Sequence, residues 1–175
     1  MWFQGNSVTV KVSKETIQKM QEDADKLWVP ELVALMKATQ EPFVNVIYDS
    51  DPLDQLVWNN VVLVGDAAHP TTPHCLRSTN MSLLDAAVLG KSLEKWGTEN
   101  LQSALAEYQS IRLPVVADQV LHSRHVGRTK QGLNSSDFKP FVSKNVTSKH
   151  CFEIQQKNVP FFSSIPDILL DNTTN

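Results

Sequence analysis

The carboxylate of Asp66 follows a short apolar run, which is a position suited to binding a small molecule. The run at residues 61–64 reads Val-Val-Leu-Val and leads directly into Gly65 and Asp66. These consecutive apolar residues, mostly β-branched, predict a short strand that is buried on both faces. In open α/β sheets, ligands bind beyond the carboxyl ends of such strands, where a carboxylate accepts hydrogen bonds from sugar or polyol hydroxyls. The alternative is that Asp66 only initiates a turn after Gly65.

The residues that follow Asp66 extend this pattern into a recognisable series. In type and spacing, these residues resemble the second flavin motif of the FAD-dependent aromatic-ring monooxygenases. This family is also called group A, or the p-hydroxybenzoate hydroxylase type. That motif reads Gly-Asp-Ala-Ala-His, then a Pro, a Gly-rich turn, an Asn and an Asp inside the next helix. The run at residues 71–81 looks most like a plant-type branch of the family. The matching positions are Gly65, Asp66, Ala67, Ala68, His69, Pro73, Asn80 and Asp85.

The resemblance implies a flavoprotein fold and flavin chemistry. It implies an α/β class, with the C-terminal part of a Rossmann-like FAD-binding domain, the end of a substrate-domain sheet and C-terminal helices. FAD would be the cofactor, NAD(P)H the electron donor, and a small organic molecule the substrate that is hydroxylated with O₂. Asp85 would have a structural role, bonding nearby backbone or orienting the loop. The implied cofactor-binding residues are Gly65, Asp66, Pro73, Cys75, Ser78, Thr79 and Asn80.

Two positions depart from the family pattern, which usually has glycines where this chain has Cys75 and Ser78. Glycine lets a backbone adopt positive φ and approach the flavin ring closely. If the loop keeps the family's path, a Cβ at Cys75 is strained, and restoring glycine should tighten FAD binding. The competing expectation is that Cys75 belongs to a re-routed loop. Ser78 is expected to serve as the N-cap of the following helix.

The glycine-rich fingerprint for the ADP half of FAD is missing from the sequence. None of the 6 glycines forms a G-x-G-x-x-G series, which would hold a pyrophosphate at a helix N-terminus. The chain therefore resembles the C-terminal part of a longer monooxygenase, and we expect it to be inactive by itself. The alternative is a non-catalytic remnant or interaction module that lacks bound flavin.

Composition and charge exclude several other classes of protein. The net charge of −3 gives no electrostatic case for binding nucleic acid or an anionic membrane. No apolar stretch approaches the roughly 18 residues of a membrane span. The first residues lack the pattern of a signal peptide, and the two cysteines suit a reducing intracellular compartment, cytoplasmic or organellar, without determining which. Pairs such as His122 and His125 lack the spacing of a metal site and are typical of a solvated helix face. Arg77 could reach a substrate or NAD(P)H phosphate, or be a surface residue.

Hydrophobic periodicity predicts the elements that position these residues. The family resemblance assigns residues 1–58 to the end of a substrate domain. They contain a strand with Val8, Val10 and Val12, a helix capped by Ser13, another over residues 31–39 and a strand at 43–48. The same resemblance assigns residues 59–133 to the C-terminal part of the FAD-binding domain, and the polar composition of residues 134–175 predicts a largely irregular tail.

Two long helices are predicted after the flavin-type loop. The first covers residues 79–96, with Gly97 just beyond its end. Its predicted apolar stripe comprises Leu83, Ala86, Ala87, Leu89, Gly90 and Leu93. The second helix begins after Thr98 and should be kinked or interrupted at Pro114. In the tail, an apolar stretch at residues 159–162, with Ile165, Ile168 and Leu169, is predicted to dock on the body.

Overall fold

The computed structural model of the chain describes residues 9–133, 147–153 and 165–170. The chain divides into two compact units, residues 1–48 and residues 49–175. Helices combined with small sheets confirm the predicted α/β class. No helix in these described ranges combines the length and apolar character that crossing a membrane requires.

The first unit combines two short strands and two helices. Strand β1 (Thr9–Lys11) pairs antiparallel with β2 (Phe43–Asn45), and helices α1 (Lys14–Leu27) and α2 (Pro30–Ala38) lie between them in sequence. The predicted cap is confirmed, because the Ser13 side chain accepts a hydrogen bond from the Thr16 N–H over 3.2 Å. Strand β2 is shorter than predicted, and Val8 lies outside the described residues.

The second unit contains a hairpin followed by two long helices. Strands β3 (Val57–Trp58) and β4 (Val61–Val62) are antiparallel, and Asn59 turns the chain between them with φ of +53°. Helix α3 (Ser78–Trp96) ends at Gly97, as predicted, with φ of +67°. Helix α4 (Leu101–Lys130) then packs along α3. A short helix, α5 (Ser148–Glu153), and a 3₁₀ turn at Asp167–Leu169 complete the described part of the unit.

The prediction of a strand buried on both faces at residues 61–64 is wrong. Only two of these residues form a strand, and among the described residues that strand pairs only with β3. A connection of two residues joins antiparallel strands, because a parallel neighbour needs a long crossover. Val62 and Leu63 pack against the core, while Val61 and Val64 are 60% and 42% exposed. The two middle residues of the run are therefore covered, and the residues at its two ends are exposed.

Of the apolar stripe predicted for helix α3, Leu89 packs against the core, but the fully buried face of the helix is a different one. Its buried residues are Met81, Asp85, Val88 and Ser92, whereas Leu83 is 66% exposed. These positions recur at helical spacing, but two of them are polar, so hydrophobicity alone selected the wrong stripe. Met81 and Val88 join Leu56, Ala68, Tyr108 and Val116 in the core cluster.

Helix α4 continues through Pro114, so of the kink or interruption predicted there, the interruption does not occur. It extends over 30 residues, with Pro114 exposed inside it. In the tail, Ile168 and Leu169 pack against the core cluster as predicted, while Ile165 is exposed. The apolar stretch at residues 159–162 lies outside the described residues.

Candidate functional site

The site begins with a tight turn directly after the hairpin. Residues Gly65–Ala67 form a 3₁₀ turn in which Gly65 has φ of +63°. A Cβ at this position would lie 3.2 Å from Oγ of Ser82 on α3. Both the backbone conformation and the close approach to α3 therefore favour glycine at position 65.

Asp66 and Ser78 are brought together at the N-terminus of α3. The Ser78 hydroxyl donates a hydrogen bond to Oδ1 of Asp66, whose side chain is exposed. Ser78 is not the predicted N-cap, because it is the first helical residue and Arg77 occupies the cap position without a side-chain cap bond. An exposed carboxylate thus lies beside a helix end whose backbone N–H groups point outward. Thr79 and Asn80 are exposed in the same first turn.

The loop leading to α3 turns Cys75 into the interior. Residues Pro73–Cys75 form a 3₁₀ turn that packs on α4, and Cys75 is 2% exposed. The left-handed conformation occurs one residue later, at Leu76, with φ of +55°. The expected strain at Cys75 is therefore wrong for this loop, and the strained position is Leu76. Burial raises the pKa of the Cys75 thiol, against the opposing charges of Lys130 and Arg77.

Arg77 is not the exposed loop residue that one interpretation predicted. It is 6% exposed, and its burial lowers the pKa of the guanidinium. Nor do His122 and His125 lie on a solvated face, because both side chains are half-buried. Within the described ranges, no group of three or more His, Cys, Asp or Glu side chains could hold a metal ion.

A fully buried polar cluster lies behind the Gly65 turn. Asp85 accepts three hydrogen bonds: from the Gly65 N–H at 2.9 Å, from Nε2 of His69 at 2.7 Å and from Nε of Arg112 at 2.7 Å. All three side chains, those of His69, Asp85 and Arg112, are 0% exposed. Burial acts to raise the pKa of the Asp85 carboxyl, but these bonds and the Arg112 charge outweigh it and lower the pKa. The predicted structural role of Asp85 is confirmed.

Helix α4 fixes the hairpin that leads into the turn. The Gln109 side-chain oxygen accepts from the N–H groups of Leu56 and Val57 at 2.7 and 3.0 Å. One residue earlier, the Tyr108 hydroxyl donates to the Leu63 carbonyl over 2.9 Å. Burial raises the pKa of Tyr108, and the Asp85 charge adds to the effect. Because Arg112 follows one turn later, a single stretch of α4 holds the strands and the turn together.

The far end of the same helix fixes the rest of the loop. The Thr72 N–H donates to the Ser123 hydroxyl over 2.9 Å, and the Thr72 hydroxyl bonds the Ser123 carbonyl over 3.0 Å. Lys130 donates to the His74 carbonyl over 2.8 Å. Gly127 allows this approach, since a Cβ there would lie 2.4 Å from Cδ2 of His74.

These features fit FAD at the turn and the helix end. The Asp66 carboxylate can accept from ribityl hydroxyls. The N-terminus of α3 carries partial positive charge, which suits the negative charge that a flavin ring develops on reduction. Asn80 also lines an open groove of about 340 Å³ along α3, together with Leu83, Leu84 and Ala87.

Comparison with known families agrees with this geometry. The sequence profile of the FAD binding domain family matches residues 14–123, which is more than half of the chain. The chain belongs to this family. FAD is the family's cofactor, and the relatives of this chain include a monooxygenase and an FAD-dependent hydroxylase.

Three relatives show how far this similarity extends. The chain is 33% identical over 98 residues to a 6-hydroxynicotinate 3-monooxygenase of Pseudomonas fluorescens, covering 56% of this chain and 26% of the relative. It is 35% identical over 99 residues to an FAD-dependent urate hydroxylase of Klebsiella pneumoniae, covering 55% and 25%. It is 39% identical over 80 residues to a 3-hydroxybenzoate 6-hydroxylase 2 of Aquipseudomonas alcaligenes, covering 46% and 25%. The chain spans about a quarter of the length of these curated relatives.

Several residues that build the site were not singled out from the sequence. Arg112, Gln109 and Ser123 all lie on α4, far along the chain from the loop that they hold. A signal existed for Arg112, which is a lone charge between Ile111 and Leu113 within an apolar stretch. A charged residue on a buried helix face requires a partner, and Asp85 is that partner.

Proposed function

We propose that this chain supplies the flavin-facing part of an FAD-dependent monooxygenase. The observation that carries the proposal is the contact of Asp66 with Ser78 at the start of α3. In this arrangement Gly65 and Asp66 bind the ribityl chain. Pro73, Ser78, Thr79 and Asn80 then form the wall at the pyrimidine edge of the ring, and the buried Cys75 supports this loop from the interior.

The protein groups orient the cofactor, and FAD supplies the redox chemistry when bound, with NAD(P)H as electron donor and O₂ as co-substrate. Asp66 fixes the ribityl hydroxyls, and the first turn of α3 stabilises negative charge on the reduced ring. The relatives' names refer to 6-hydroxynicotinate, urate and 3-hydroxybenzoate. By analogy, we propose a small aromatic or heteroaromatic molecule as the substrate that is hydroxylated.

The run at residues 71–81 supports a place in a plant-type branch, and the lack of a G-x-G-x-x-G series supports the C-terminal part of a longer enzyme. We assign residues 1–58 to the end of a substrate domain, 59–133 to the FAD-binding domain and 134–175 to a tail. We also propose that the protein is intracellular and has no nucleic acid partner.

A titration of the ¹⁵N-labelled chain with FMN tests the proposal, because FMN carries the flavin ring and the ribityl chain without the ADP half. We expect shifts of the amide signals of Gly65, Asp66 and the first turn of α3. ADP is the matched ligand control and should leave these signals in place. Equal effects of FMN and ADP, or no shifts up to millimolar FMN, would favour the alternative of a non-catalytic remnant that binds no flavin.

A further inference from the structure

The cluster of His69, Asp85 and Arg112 has a composition that stability alone does not explain. It places a carboxylate and a guanidinium at 0% exposure in the core between α3 and α4. Removing two charges from water costs free energy that their attraction often fails to recover. Apolar residues of similar volume commonly serve a core as well or better. The cluster is therefore better explained by the part of the backbone that it holds in position.

What the cluster holds is the backbone of the turn. Asp85 divides its two oxygens: Oδ1 accepts from Arg112, while Oδ2 accepts from both His69 and the Gly65 N–H. Arg112 comes from α4 and His69 from the end of the turn, so each fixes the carboxylate from a different side. Gly65 in turn directs Asp66, since the two are adjacent in one 3₁₀ turn.

A second contact ties His69 to the same turn. The His69 N–H donates to the Gly65 carbonyl over 3.0 Å, so both the backbone and the side chain of His69 act on Gly65. The N–H and the carbonyl of Gly65 are thus both bound, the first directly by Asp85 and the second by His69. Hydrogen bonds to an ionised acceptor are roughly twice as strong as neutral ones, and a low local dielectric strengthens them further.

We propose that His69 and Arg112 are positioning residues that, through Asp85, set the orientation of the Gly65–Asp66 turn and with it the affinity for the flavin. Only the part of this inference that concerns flavin affinity rests on the proposed function. The orientation of the turn is a property of the chain without ligand. The cluster makes the flavin loop depend on α4, which supplies Arg112.

The test replaces the whole cluster by apolar residues, His69→Leu, Asp85→Leu and Arg112→Met together, in the complete chain. The matched control is Ser92→Ala, which removes another fully buried polar group from the same face of α3. Amide hydrogen exchange at Gly65 and the FMN dissociation constant are measured for each protein. Asp85→Asn, which keeps the shape and loses the charge, is the second variant in case the triple variant does not fold.

We expect exchange at Gly65 to rise by roughly tenfold to a hundredfold in the triple variant, since a hydrogen bond to a charged group is lost. Asp85→Asn should give a smaller rise, and Ser92→Ala none. FMN binding should weaken most in the triple variant, less in Asp85→Asn and not at all in Ser92→Ala. The melting temperature of the triple variant should stay close to that of the original chain.

The outcomes separate this inference from the proposed function. Unchanged exchange at Gly65 in a folded variant would overturn the inference. So would unaltered FMN affinity in a variant whose Gly65 amide has become unprotected. If the original chain binds no FMN yet Gly65 loses protection in the variants, the positioning of the turn stands and the flavin assignment fails.

Discussion

The backbone N–H of Gly65 donates to Oδ2 of Asp85 over 2.9 Å, although 20 positions separate the two residues in the sequence. This bond joins the turn after the hairpin to the middle of α3. It explains why a carboxylate occurs on the buried face of that helix.

Asp66→Ala should weaken FMN binding to the chain by about tenfold to a hundredfold, because a charged acceptor for ribityl hydroxyls is removed. The measurement is the FMN titration followed by amide shifts. Asp54→Ala, which removes another exposed carboxylate of the same unit, is the control and should bind normally. If Asp66→Ala instead lowered the melting temperature and left FMN affinity intact, Asp66 would be a turn residue.

Leu76→Gly should stabilise the chain by about 0.5–1 kcal/mol. Leu76 has φ of +55° and is 83% exposed, so its side chain contributes little burial. The left-handed conformation costs an L-residue about 1–2 kcal/mol, and the freedom that glycine adds to the unfolded chain offsets part of the gain. Denaturant unfolding measures the change. Leu76→Ala retains a Cβ and should show no gain; equal gains for both variants would contradict the strain at this position.

Cys75→Gly should destabilise the chain and loosen the loop, which is the reverse of the effect expected from strain at this position. Cys75 is buried, and it does not have positive φ. Deleting a buried side chain loses about 1–2 kcal/mol of transfer and packing free energy. Chemical denaturation checks the stability, and FMN titration checks the site. Tighter FMN binding by Cys75→Gly would restore the strain interpretation.

Gly90→Ala and Gly127→Ala form a matched pair of helical glycine substitutions with different expected outcomes. A Cβ at Gly90 meets nothing within 4 Å, so alanine should stabilise α3 by about 0.5–1 kcal/mol. A Cβ at Gly127 would lie 2.4 Å from the His74 ring, which must then move away from α4. Gly127→Ala should therefore show no gain or a loss.

A double-mutant cycle isolates the contact between Gly127 and His74. Combining Gly127→Ala with His74→Ala removes the ring that the new Cβ would meet, so much of the helix-propensity gain should return. Thermal unfolding of the four proteins gives the coupling. Additive effects of the two substitutions would show that the His74 ring does not limit position 127.

His122 should make the stability of the chain depend on pH near neutrality. Burial lowers the pKa of His122, and the charges of His125 and Arg77 lower it further. The unfolded chain then takes up a proton at higher pH than the folded chain does. The contribution of neutral His122 to the free energy of unfolding is fully present above the pKa of the unfolded chain, about 6.5. It is lost as the pH falls from there towards the pKa of the folded chain.

Melting temperatures from pH 8 down to about pH 5 check this dependence. His122→Gln should flatten the curve in this window, because the titrating group is gone. His125→Gln should reduce the slope only in part, since burial is the larger cause of the shift. An unchanged slope in His122→Gln would assign the dependence to another group.

The sequence by itself determined the local elements and the chemical character of the loop. Ser13 as a cap, Gly97 at a helix end and the series from Gly65 to Asp85 depend on residue type and short spacing. These preferences act over one or two turns, so they can be read without knowledge of distant partners. The same series indicated FAD, which the family match supports.

Only the tertiary structure decided which side chains are buried and what they bind. The apolar stripe predicted for α3 was largely wrong because Asp85 is held in the core by Arg112, which is 27 positions away. Strain was predicted at Cys75, but the left-handed conformation occurs at Leu76, because the loop packs on α4 and His74 lies against Gly127. Such contacts depend on the free energy of burying and pairing groups from separate elements. Local propensity contains no information about them, and only the folded chain brings those groups together.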